Sequence, residues 1–501
     1  RSFTNERGSF NFNTREISML KIDFDKQINE CINKNLDAVN SDKWRNKYHI
    51  MAPIGWINDP NGLCEFNGEY HCYYQYSPLT PMGGLKFWGH AVSKDLANWK
   101  DKGVALYPDI AEDKDGVYSG SAFVKDDTIY FFYTGNVKHK GEHDYILTGR
   151  EQNVILVTSK DGINFSEKKV LLRNTDFPED MSLHVRDPKV WEEDGVYYMV
   201  LGARTTDDKG CILLYKSNDL YNWEFHSVPA GKLNNMGYMW ECPDTFKLGN
   251  KDVLMFSPQG MEAEGYKYNN VYQCGYAVGN FVNDKKELKL GEFLEIDRGF
   301  DFYAPQTFED SKGRRIVIGW MGVPDAVEHK NPTIDNFWQH QLTIPRELVL
   351  NYNKVYQVPV VELKKLRKGS SIKKEVYLNK EATLDIFESN TFELNIDFIN
   401  TTEFEIALRE DCKLSFNNKV FKLELGKSGY GREMRAVEIE AVDSIRIFSD
   451  NSSLEIFLNN GEEVFTTRFY PTKDNVGINL SGENLKGSIC IYEMEAYKIE
   501  N

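Results

Sequence analysis

Ser93-Lys94-Asp95-Leu96-Ala97-Asn98-Trp99 is the first of three copies of one short pattern. The second copy is Ser159-Lys160-Asp161-Gly162-Ile163-Asn164-Phe165, and the third is Ser217-Asn218-Asp219-Leu220-Tyr221-Asn222-Trp223. Each copy places an aspartate in a turn just before an aromatic residue, and the copies follow one another at about sixty residues. A pattern that returns at this interval indicates a repeated structural unit.

Short apolar runs recur in phase with this pattern and extend it to five copies. They are Tyr70–Tyr74, Ile129–Tyr133, Val196–Val200, Val253–Phe256 and Ile316–Trp320. A unit of about sixty residues holds four short strands with turns, so that five units closed in a ring would form a five-bladed β-propeller. The alternative is a long β-sandwich whose segments resemble one another by chance. We predict the propeller, over residues 46–350.

The remaining segments predict an otherwise all-β chain with one short N-terminal helix. Residues 1–18 lack hydrophobic periodicity and are assigned to a tag or a disordered arm. Residues 19–45 carry apolar side chains at mostly three- and four-residue spacings, which predicts an amphipathic helix. The repeat stops near residue 351, and alternating stretches such as Ile445–Phe448 predict a C-terminal β-sandwich over 351–501.

Composition narrows the classes of function. The chain has 501 residues, 41% of them hydrophobic, and a formal net charge of −16, which argues against a nucleic-acid partner. It contains no apolar stretch of about 20 residues that would span a membrane, and no signal peptide is visible. We therefore expect a cytoplasmic enzyme, although an extracellular location is not excluded. The eight cysteines are scattered without a Cys-x-x-Cys pair, so we expect free thiols, no metal site and no cofactor. The sequence does not determine the oligomeric state.

Three carboxylates stand beside prolines, each near the start of a different repeat: Asp59, Asp187 and Glu241. Alone, the first would be interpreted as a turn and the second as an ion pair with Arg186. In a propeller, however, equivalent positions converge on the central axis. Most glycosidases use a pair of carboxylates, so the cluster indicates glycoside hydrolysis. Three acids on one axis repel, and at least one should hold its proton near neutral pH, as a general acid must.

Seven motifs, in order along the chain, resemble those of the invertase, fructanase and sucrose-6-phosphate hydrolase family of glycosidases, the β-fructofuranosidases of glycoside hydrolase family thirty-two. They are Trp56–Gly62, Phe87–Ala91, Tyr118–Ala122, Arg186–Pro188, Glu241–Pro243, Asp301–Ala304 and Gly319–Met321. The resemblance is nearly full-length and implies a five-bladed propeller followed by a β-sandwich.

The resemblance also implies a retaining mechanism through a covalent fructosyl-enzyme intermediate. Asp59 is then the nucleophile, and Glu241 is the acid and base, with their carboxyl groups roughly 5 Å apart. Asp187 stabilises the transition state, and Arg186 beside it keeps the carboxylate ionised. The positions implied to bind substrate are Asn58, Gln75, Trp88, Tyr118, Ser119, Arg186, Cys242, Asp301, Tyr303 and Trp320.

One competing interpretation and one departure from the family pattern qualify this inference. Trp88 and Trp320 lie beside strand-like runs, so either could belong to the core instead of the pocket. Many relatives carry a Trp-Gly pair shortly before Trp-Gly-His, whereas this chain reads Pro81-Met82-Gly83-Gly84-Leu85-Lys86-Phe87-Trp88. The pocket wall at this edge is therefore expected to differ.

The choice among activities rests on weaker features. The N-terminal helix running into Lys47–Pro53 is similar to the bacterial intracellular branch, which hydrolyses sucrose or its 6-phosphate. A phosphate would require cationic or backbone donors at the rim, and the candidates are Lys138, His139, His184 and Arg204. A fructanase or a fructosyltransferase would share the three acids. A non-catalytic fructan-binding protein is the alternative from another class, although it should have lost an acid.

Overall fold

A computed structural model describes residues 14–327, 331–379, 383–474 and 477–496. Helix α1 (Thr14–Ser41) is followed by five sheets, each built around four antiparallel strands, and then by two six-stranded sheets. The helix begins inside the stretch predicted to be an arm, whereas residues 1–13 lie outside the described residues. Among the described residues, no helix combines the length and the apolar character needed to cross a membrane.

The five N-terminal sheets follow one another along the chain. Sheet 1 contains β1 (Gly55–Phe66), β2 (Glu69–Ser77), β3 (Phe87–Ser93) and β4 (Lys100–Leu106). Sheet 2 contains β5 (Val117–Lys125), β6 (Thr128–Lys138), β7 (Arg150–Ser159) and β8 (Lys169–Leu172). Sheet 3 contains β9 (Met181–Glu193), β10 (Val196–Thr205), β11 (Gly210–Ser217) and β12 (Glu224–Gly231). Sheet 4 contains β13 (Met239–Leu248), β14 (Lys251–Gln259), β15 (Gly275–Val282) and β16 (Glu287–Leu290), with the short β17 (Leu294–Glu295) paired to β15. Sheet 5 contains β18 (Tyr303–Glu309), β19 (Arg315–Trp320), β21 (Arg346–Asn351) and β22 (Lys354–Pro359).

The first strands of these sheets form a closed ring. β1 contacts β5, β5 contacts β9, β9 contacts β13, β13 contacts β18, and β18 returns to β1. The short β20 (Trp338–Gln339), which leaves sheet 5, pairs in parallel with the start of β1 and ties the last blade to the first. The predicted five-bladed propeller is confirmed, and its fifth blade ends at Pro359, beyond the predicted limit of 350.

The five apolar runs that predicted the blades are their second strands. β2, β6, β10, β14 and β19 contain them, and their middle residues are almost all buried. Each blade packs between two others, so both faces of a strand are covered. These strands are therefore continuously apolar, whereas a strand with one exposed face would alternate apolar and polar residues.

The repeated Ser-x-Asp pattern forms the turn between the third and fourth strands of blades 1 to 3. In each copy the aspartate Oδ1 accepts backbone N–H groups two and three residues later, at 2.7–3.0 Å. These hydrogen bonds hold the pKa values of the Asp161 and Asp219 carboxyls well below the usual range. The residue after the aspartate has a positive φ in every copy. The turns lie on the outer hairpins, so the pattern stabilises the blades and takes no part in the site.

The C-terminal unit is the predicted β-sandwich. One sheet contains β23 (Arg367–Leu378), β34 (Leu485–Met494), β25 (Phe392–Asn400), β30 (Ser444–Asp450), β31 (Ser453–Leu458) and β32 (Glu463–Arg468). The other contains β24 (Thr383–Glu388), β33 (Gly477–Ser481), β26 (Phe404–Leu408), β27 (Cys412–Asn417), β28 (Val420–Leu425) and β29 (Met434–Glu438). Their inner faces enclose a core of Leu, Ile, Val and Phe side chains.

Buried charges join the sandwich to the propeller. The Asp301 carboxylate, fully buried, accepts hydrogen bonds from the guanidinium groups of Arg432 and Arg468. Nearby, Arg346 of blade 5 binds Glu455 of the sandwich at 2.6 Å. The prediction that Asp301 binds substrate is therefore wrong, because both of its oxygens are already occupied by side chains of the other domain.

Candidate active site

A β-bulge interrupts the first strand of every blade at the same height. The register shifts lie between Ile57 and Pro60, Val117 and Gly120, Arg186 and Lys189, Glu241 and Asp244, and Tyr303 and Gln306. In blades 3 to 5 the bulged residue has a positive φ and precedes a proline: Asp187 (65°), Cys242 (47°) and Ala304 (47°). Bulges re-aim side chains. Here they bring side chains from different blades into contact at one end of the ring.

Asp59 of β1 is held by two donors. Its Oδ2 accepts a hydrogen bond from Ser119 Oγ at 2.5 Å, and its Oδ1 accepts one from Asn58 Nδ2 at 3.0 Å. Asn58 is fixed in turn, because its Oδ1 accepts from Trp56 Nε1 and its amide donates to Gln75 Oε1, both at 2.9 Å. Burial raises the pKa of Asp59, and the hydrogen bonds from Ser119 and Asn58 oppose that rise. The carboxylate therefore has a fixed orientation.

Glu241 of β13 has both carboxylate oxygens engaged. Oε1 accepts from Arg186 Nε at 3.0 Å and from Arg186 Nη2 at 2.6 Å. Oε2 accepts from the Tyr303 hydroxyl at 2.6 Å and from Gln259 Nε2 at 2.8 Å. The Glu241 side chain is only 15% exposed. A hydroxyl can also accept a hydrogen bond, so Tyr303 can stay bonded to Glu241 in either protonation state of the carboxyl group.

Arg186 binds Glu241 more closely than it binds Asp187. The shortest distance from its guanidinium to Asp187 Oδ2 is 3.9 Å, whereas its fork is bidentate on Glu241. Its Nη1 also contacts His184 Nδ1 at 2.7 Å and Gln152 Oε1 at 3.2 Å. The expectation that Arg186 acts chiefly on its sequence neighbour is therefore corrected: the preferred partner lies on the next blade.

Asp187 is the most deeply buried of the three acids. It contacts Cys242 of blade 4, and Cys242 in turn lies next to Asp59 of blade 1. Asp187 Oδ2 accepts from the Cys242 backbone N–H at 2.9 Å, and the Cys242 Sγ lies 3.6 Å from the same oxygen and 3.8 Å from Asp59 Oδ2. Burial raises the pKa of Asp187 to about 7; the charges of Glu241 and Asp59 add to the rise, and that of Arg186 opposes it. The raised pKa belongs to Asp187 and burial is its largest cause, so the expectation that repulsion keeps a proton on the general acid stays a prediction.

The two tryptophans have different surroundings. Trp320 packs against Trp56 and His340 at the edge of the site, with ring centroids 5.9 and 5.2 Å away, and Tyr303 lies beside it. Trp88, in contrast, is completely buried among aromatic side chains of blades 1 and 2, and its Nε1 donates to the Tyr118 carbonyl. The structure places Trp88 in the core between blades 1 and 2, the alternative that its sequence position left open, because its ring packs on Tyr73, Phe131 and Tyr133.

The departure before Trp88 places a lysine at the pocket edge. A Cβ on Gly83 would meet Lys86 Nζ and the Trp56 ring, each at 3.8 Å, and Lys86 Nζ lies 5.2 Å from the Trp56 ring centroid. Burial lowers the pKa of Lys86 to about 7, and the charge of Asp59 opposes the change. Sequence reasoning missed this residue, although it stands only two positions before Trp88.

Gln259 and Gln152 were also missed, because their partners Glu241 and Arg186 lie on other strands. The only available signal was that Gln259 ends the strand paired with the one carrying Glu241. No group of three or more His, Cys, Asp or Glu side chains in the described part of the chain is arranged to hold a metal ion. The site therefore offers an oriented carboxylate, a second carboxyl group bound by an arginine and a tyrosine, and a third that is almost fully buried between them.

Comparison with known proteins gives a consistent result. Residues 49–359 match the model of the glycosyl hydrolases family 32 N-terminal domain, and residues 362–498 match that of the family 32 C terminal. The chain is 42% identical over 463 residues to a sucrose-6-phosphate hydrolase of Bacillus subtilis (strain 168), covering 90% of this chain and 94% of that protein. It is 36% identical over 466 residues to a raffinose invertase of Escherichia coli, covering 89% and 94%. The structure of a sucrose-6-phosphate hydrolase from Lactobacillus gasseri superposes with a TM-score of 0.83 at 28% identity, covering 94% of this chain and 97% of that one.

Proposed function

The chain belongs to glycosyl hydrolase family 32, and from that membership we propose that it hydrolyses sucrose 6-phosphate and sucrose with retention of configuration. It is an enzyme of the β-fructofuranosidase type, as its relatives are. The observation that carries the proposal is the clustering of the three acids. Cys242 contacts both Asp59 and Asp187, and Glu241 is the residue before Cys242 in the sequence.

Asp59 attacks the anomeric carbon of the fructosyl group. Its two hydrogen bonds, from Ser119 and Asn58, orient the carboxylate and favour its ionised form. A nucleophile needs both properties, since attack requires an ionised oxygen in line with the bond that breaks. The bond to the leaving oxygen breaks as the fructosyl ester of Asp59 forms.

Glu241 protonates the leaving oxygen and later removes a proton from the attacking water. The exchange requires a carboxyl group that can both hold and lose a proton without leaving its place. The Tyr303 hydroxyl, which can donate or accept, and the Gln259 amide keep it in position on Oε2.

Asp187 stabilises the positive charge that develops on the sugar ring. Electrostatic stabilisation is strongest where water is excluded, and the Asp187 side chain is only 4% exposed. The flattened fructosyl ring resembles an oxocarbenium ion, which an adjacent buried carboxylate favours.

Sucrose 6-phosphate is the proposed preferred substrate, since relatives named sucrose-6-phosphate hydrolase match at 35–42% identity over most of this chain. The raffinose invertase at 36% identity favours an unphosphorylated fructoside as the second candidate. Initial rates of fructose release from sucrose, sucrose 6-phosphate and inulin would distinguish them. We expect the highest kcat/KM for sucrose 6-phosphate and the lowest for inulin. Release from none of the three, in a protein that is folded, would contradict the proposed function.

A further inference from the structure

We propose that Arg150 and Lys138, on the rim of blade 2, bind the phosphate of a phosphorylated leaving sugar. This inference rests on the proposed function and deepens it, since it names the side chains that would make a fructosidase prefer a phosphorylated substrate. The two residues occupy the ends of β6 and β7 and face each other in register.

Arg150 is a cation near the catalytic groups that forms no ion pair with any residue the structure describes. Its Nε atom is buried and has no hydrogen-bond partner, and no carboxylate of the described residues forms an ion pair with its guanidinium. Arg150 pairs in register with Lys138 and stands two residues from Gln152, whose Oε1 accepts from Arg186 Nη1 at 3.2 Å. Burial lowers the pKa of Arg150, and the neighbouring guanidinium of Arg186 lowers it further. A partly buried guanidinium beside another guanidinium is stabilised when an anion joins it.

Lys138 adds a second charge at the same place. Lys138 lies at the surface, and its Nζ is 5.7 Å from the centroid of the Tyr145 ring. Its ammonium forms no ion pair with any of the described residues. Partial desolvation of the ammonium and the charge of Arg150 lower the pKa of Lys138, while the Asp115 carboxylate, which accepts the Lys138 backbone N–H at 2.8 Å, opposes the change. The two cations therefore act on one region of the rim.

The other basic candidates are already engaged. His139 binds Glu151 at 2.7 Å, and Arg204 binds Asp208 through two nitrogens at 2.8 and 2.6 Å. His184 contacts Arg186 and the Tyr145 carbonyl, and burial together with the two neighbouring arginines lowers its pKa to about 2, so it carries no charge at neutral pH. Of those candidates only Lys138 remains, and the structure adds Arg150 beside it.

The position suits the leaving side of the bond. β5 begins at Val117, which pairs with Gly135 of β6, so that Tyr118 and Ser119 stand next to the strand end carrying Lys138. Ser119 contacts the nucleophile, whereas Arg150 stands two residues before Gln152 on β7, on the same side of the strand, and Gln152 Oε1 accepts from Arg186 Nη1. Arg186 in turn binds Glu241, the proposed acid, so Arg150 lies on the leaving side. An arginine fork with an adjacent ammonium is the chemistry that binds a phosphomonoester.

Steady-state kinetics on sucrose and on sucrose 6-phosphate test the inference. R150Q should lower kcat/KM for sucrose 6-phosphate about 10- to 100-fold and change that for sucrose less than about threefold, because a charge-assisted bond to phosphate is lost. K138Q, which can be used if R150Q does not fold, should lower it about 3- to 10-fold. R204Q is the matched control, an arginine on the same rim that is already neutralised by Asp208, and it should leave the preference between the two substrates unchanged.

Product inhibition gives a second measurement. Glucose 6-phosphate should inhibit sucrose hydrolysis by the wild-type enzyme more strongly than glucose does, and R150Q should abolish the difference. Equal losses on both substrates in R150Q, or a phosphate preference that survives both R150Q and K138Q, would overturn the inference. A wild-type enzyme that hydrolyses sucrose without preferring its phosphate would overturn this inference and the proposed substrate preference but leave the proposed fructoside hydrolysis intact. Failure on every fructoside would remove the proposed function itself.

Discussion

Asp59 and Glu241 are chemically similar, and their neighbours make them different. Asp59 receives one hydroxyl and one amide hydrogen bond, neither of them charged. Glu241 receives a bidentate guanidinium, a phenol and an amide. Two carboxyl groups in unlike surroundings can take the unlike roles of nucleophile and acid in one site.

The Ser119 hydroxyl sets the pH at which Asp59 becomes a nucleophile. Its hydrogen bond lowers the pKa of Asp59, so Ser119→Ala should raise that pKa. Because attack requires the ionised carboxylate, the acid limb of the pH profile of kcat/KM should move to higher pH, and kcat should fall about 10-fold. Ser121→Ala is the control, since its hydroxyl donates to the Pro188 carbonyl and touches no carboxylate. An acid limb that stays in place or moves to lower pH would show that Asp59 does not control it.

Glu241→Ala removes the group that we propose protonates the leaving oxygen. We expect the rate on sucrose to fall about 10²- to 10⁴-fold, because the sugar alkoxide is a poor leaving group without a proton. An activated aryl fructoside, whose leaving group needs little protonation, should lose far less in its first turnover. Pre-steady-state rates on the two substrates check this, and equal losses would assign Glu241 another role.

The site residues differ in how far the sequence could predict them. Asp59, Asp187 and Glu241 were predictable, because each recurs at one place in a visible repeat and stands in a motif. Trp88 was not, since β3 is buried on both faces and carries no alternation that distinguishes pocket from core. The partner of Arg186 was also beyond reach, because Glu241 is 55 residues away and lies on another blade.

At the scale of secondary-structure elements, the repeat produces two kinds of position. The bulges near the axis carry the chemistry, and the Ser-x-Asp turns on the outer hairpins hold the blades. Both were visible as recurring motifs, and only the strand order shows that they lie at different radii. The sequence also placed the end of the propeller too early, because β21 and β22 alternate like the sandwich strands that follow them.

Asp95 tests the structural role of the outer turns. Its carboxylate accepts hydrogen bonds from the backbone of Ala97 and Asn98 and from the Asn98 side chain. Asp95→Ala should lower the free energy of unfolding by about 1–2 kcal/mol, while kcat of the folded enzyme stays unchanged. Asp37→Ala, on the exposed face of α1, is the control and should change it by less than about 0.5 kcal/mol. Urea denaturation measures both. A loss of activity without loss of stability would assign the turn a part in catalysis.

At the scale of the whole molecule, the sandwich is joined to the propeller by buried ions as well as by apolar contacts. Asp301 lies in a motif next to Tyr303, which does belong to the site, so sequence alone could not separate a residue that binds substrate from one that binds the other domain. The arginines that decide the matter are 131 and 167 residues away.

Asp301→Asn should therefore affect stability and leave substrate binding unchanged. Removal of the charge leaves Arg432 and Arg468 buried without compensation, which should cost about 3–5 kcal/mol of unfolding free energy. KM for sucrose in the folded enzyme should stay the same. A raised KM with full stability would restore the earlier interpretation of Asp301 as a substrate-binding residue.

The most direct test of the account is to identify the residue that carries the fructosyl group. Glu241→Ala, incubated with an activated aryl fructoside, should form the covalent intermediate quickly and hydrolyse it slowly, because the base that activates water is missing. Digestion and mass spectrometry should then find the adduct on the peptide that contains Asp59, and the double variant with Asp59→Asn should show none. Turnover of the aryl fructoside without an adduct, or an adduct on Asp187, would contradict the assignment of Asp59 as the nucleophile.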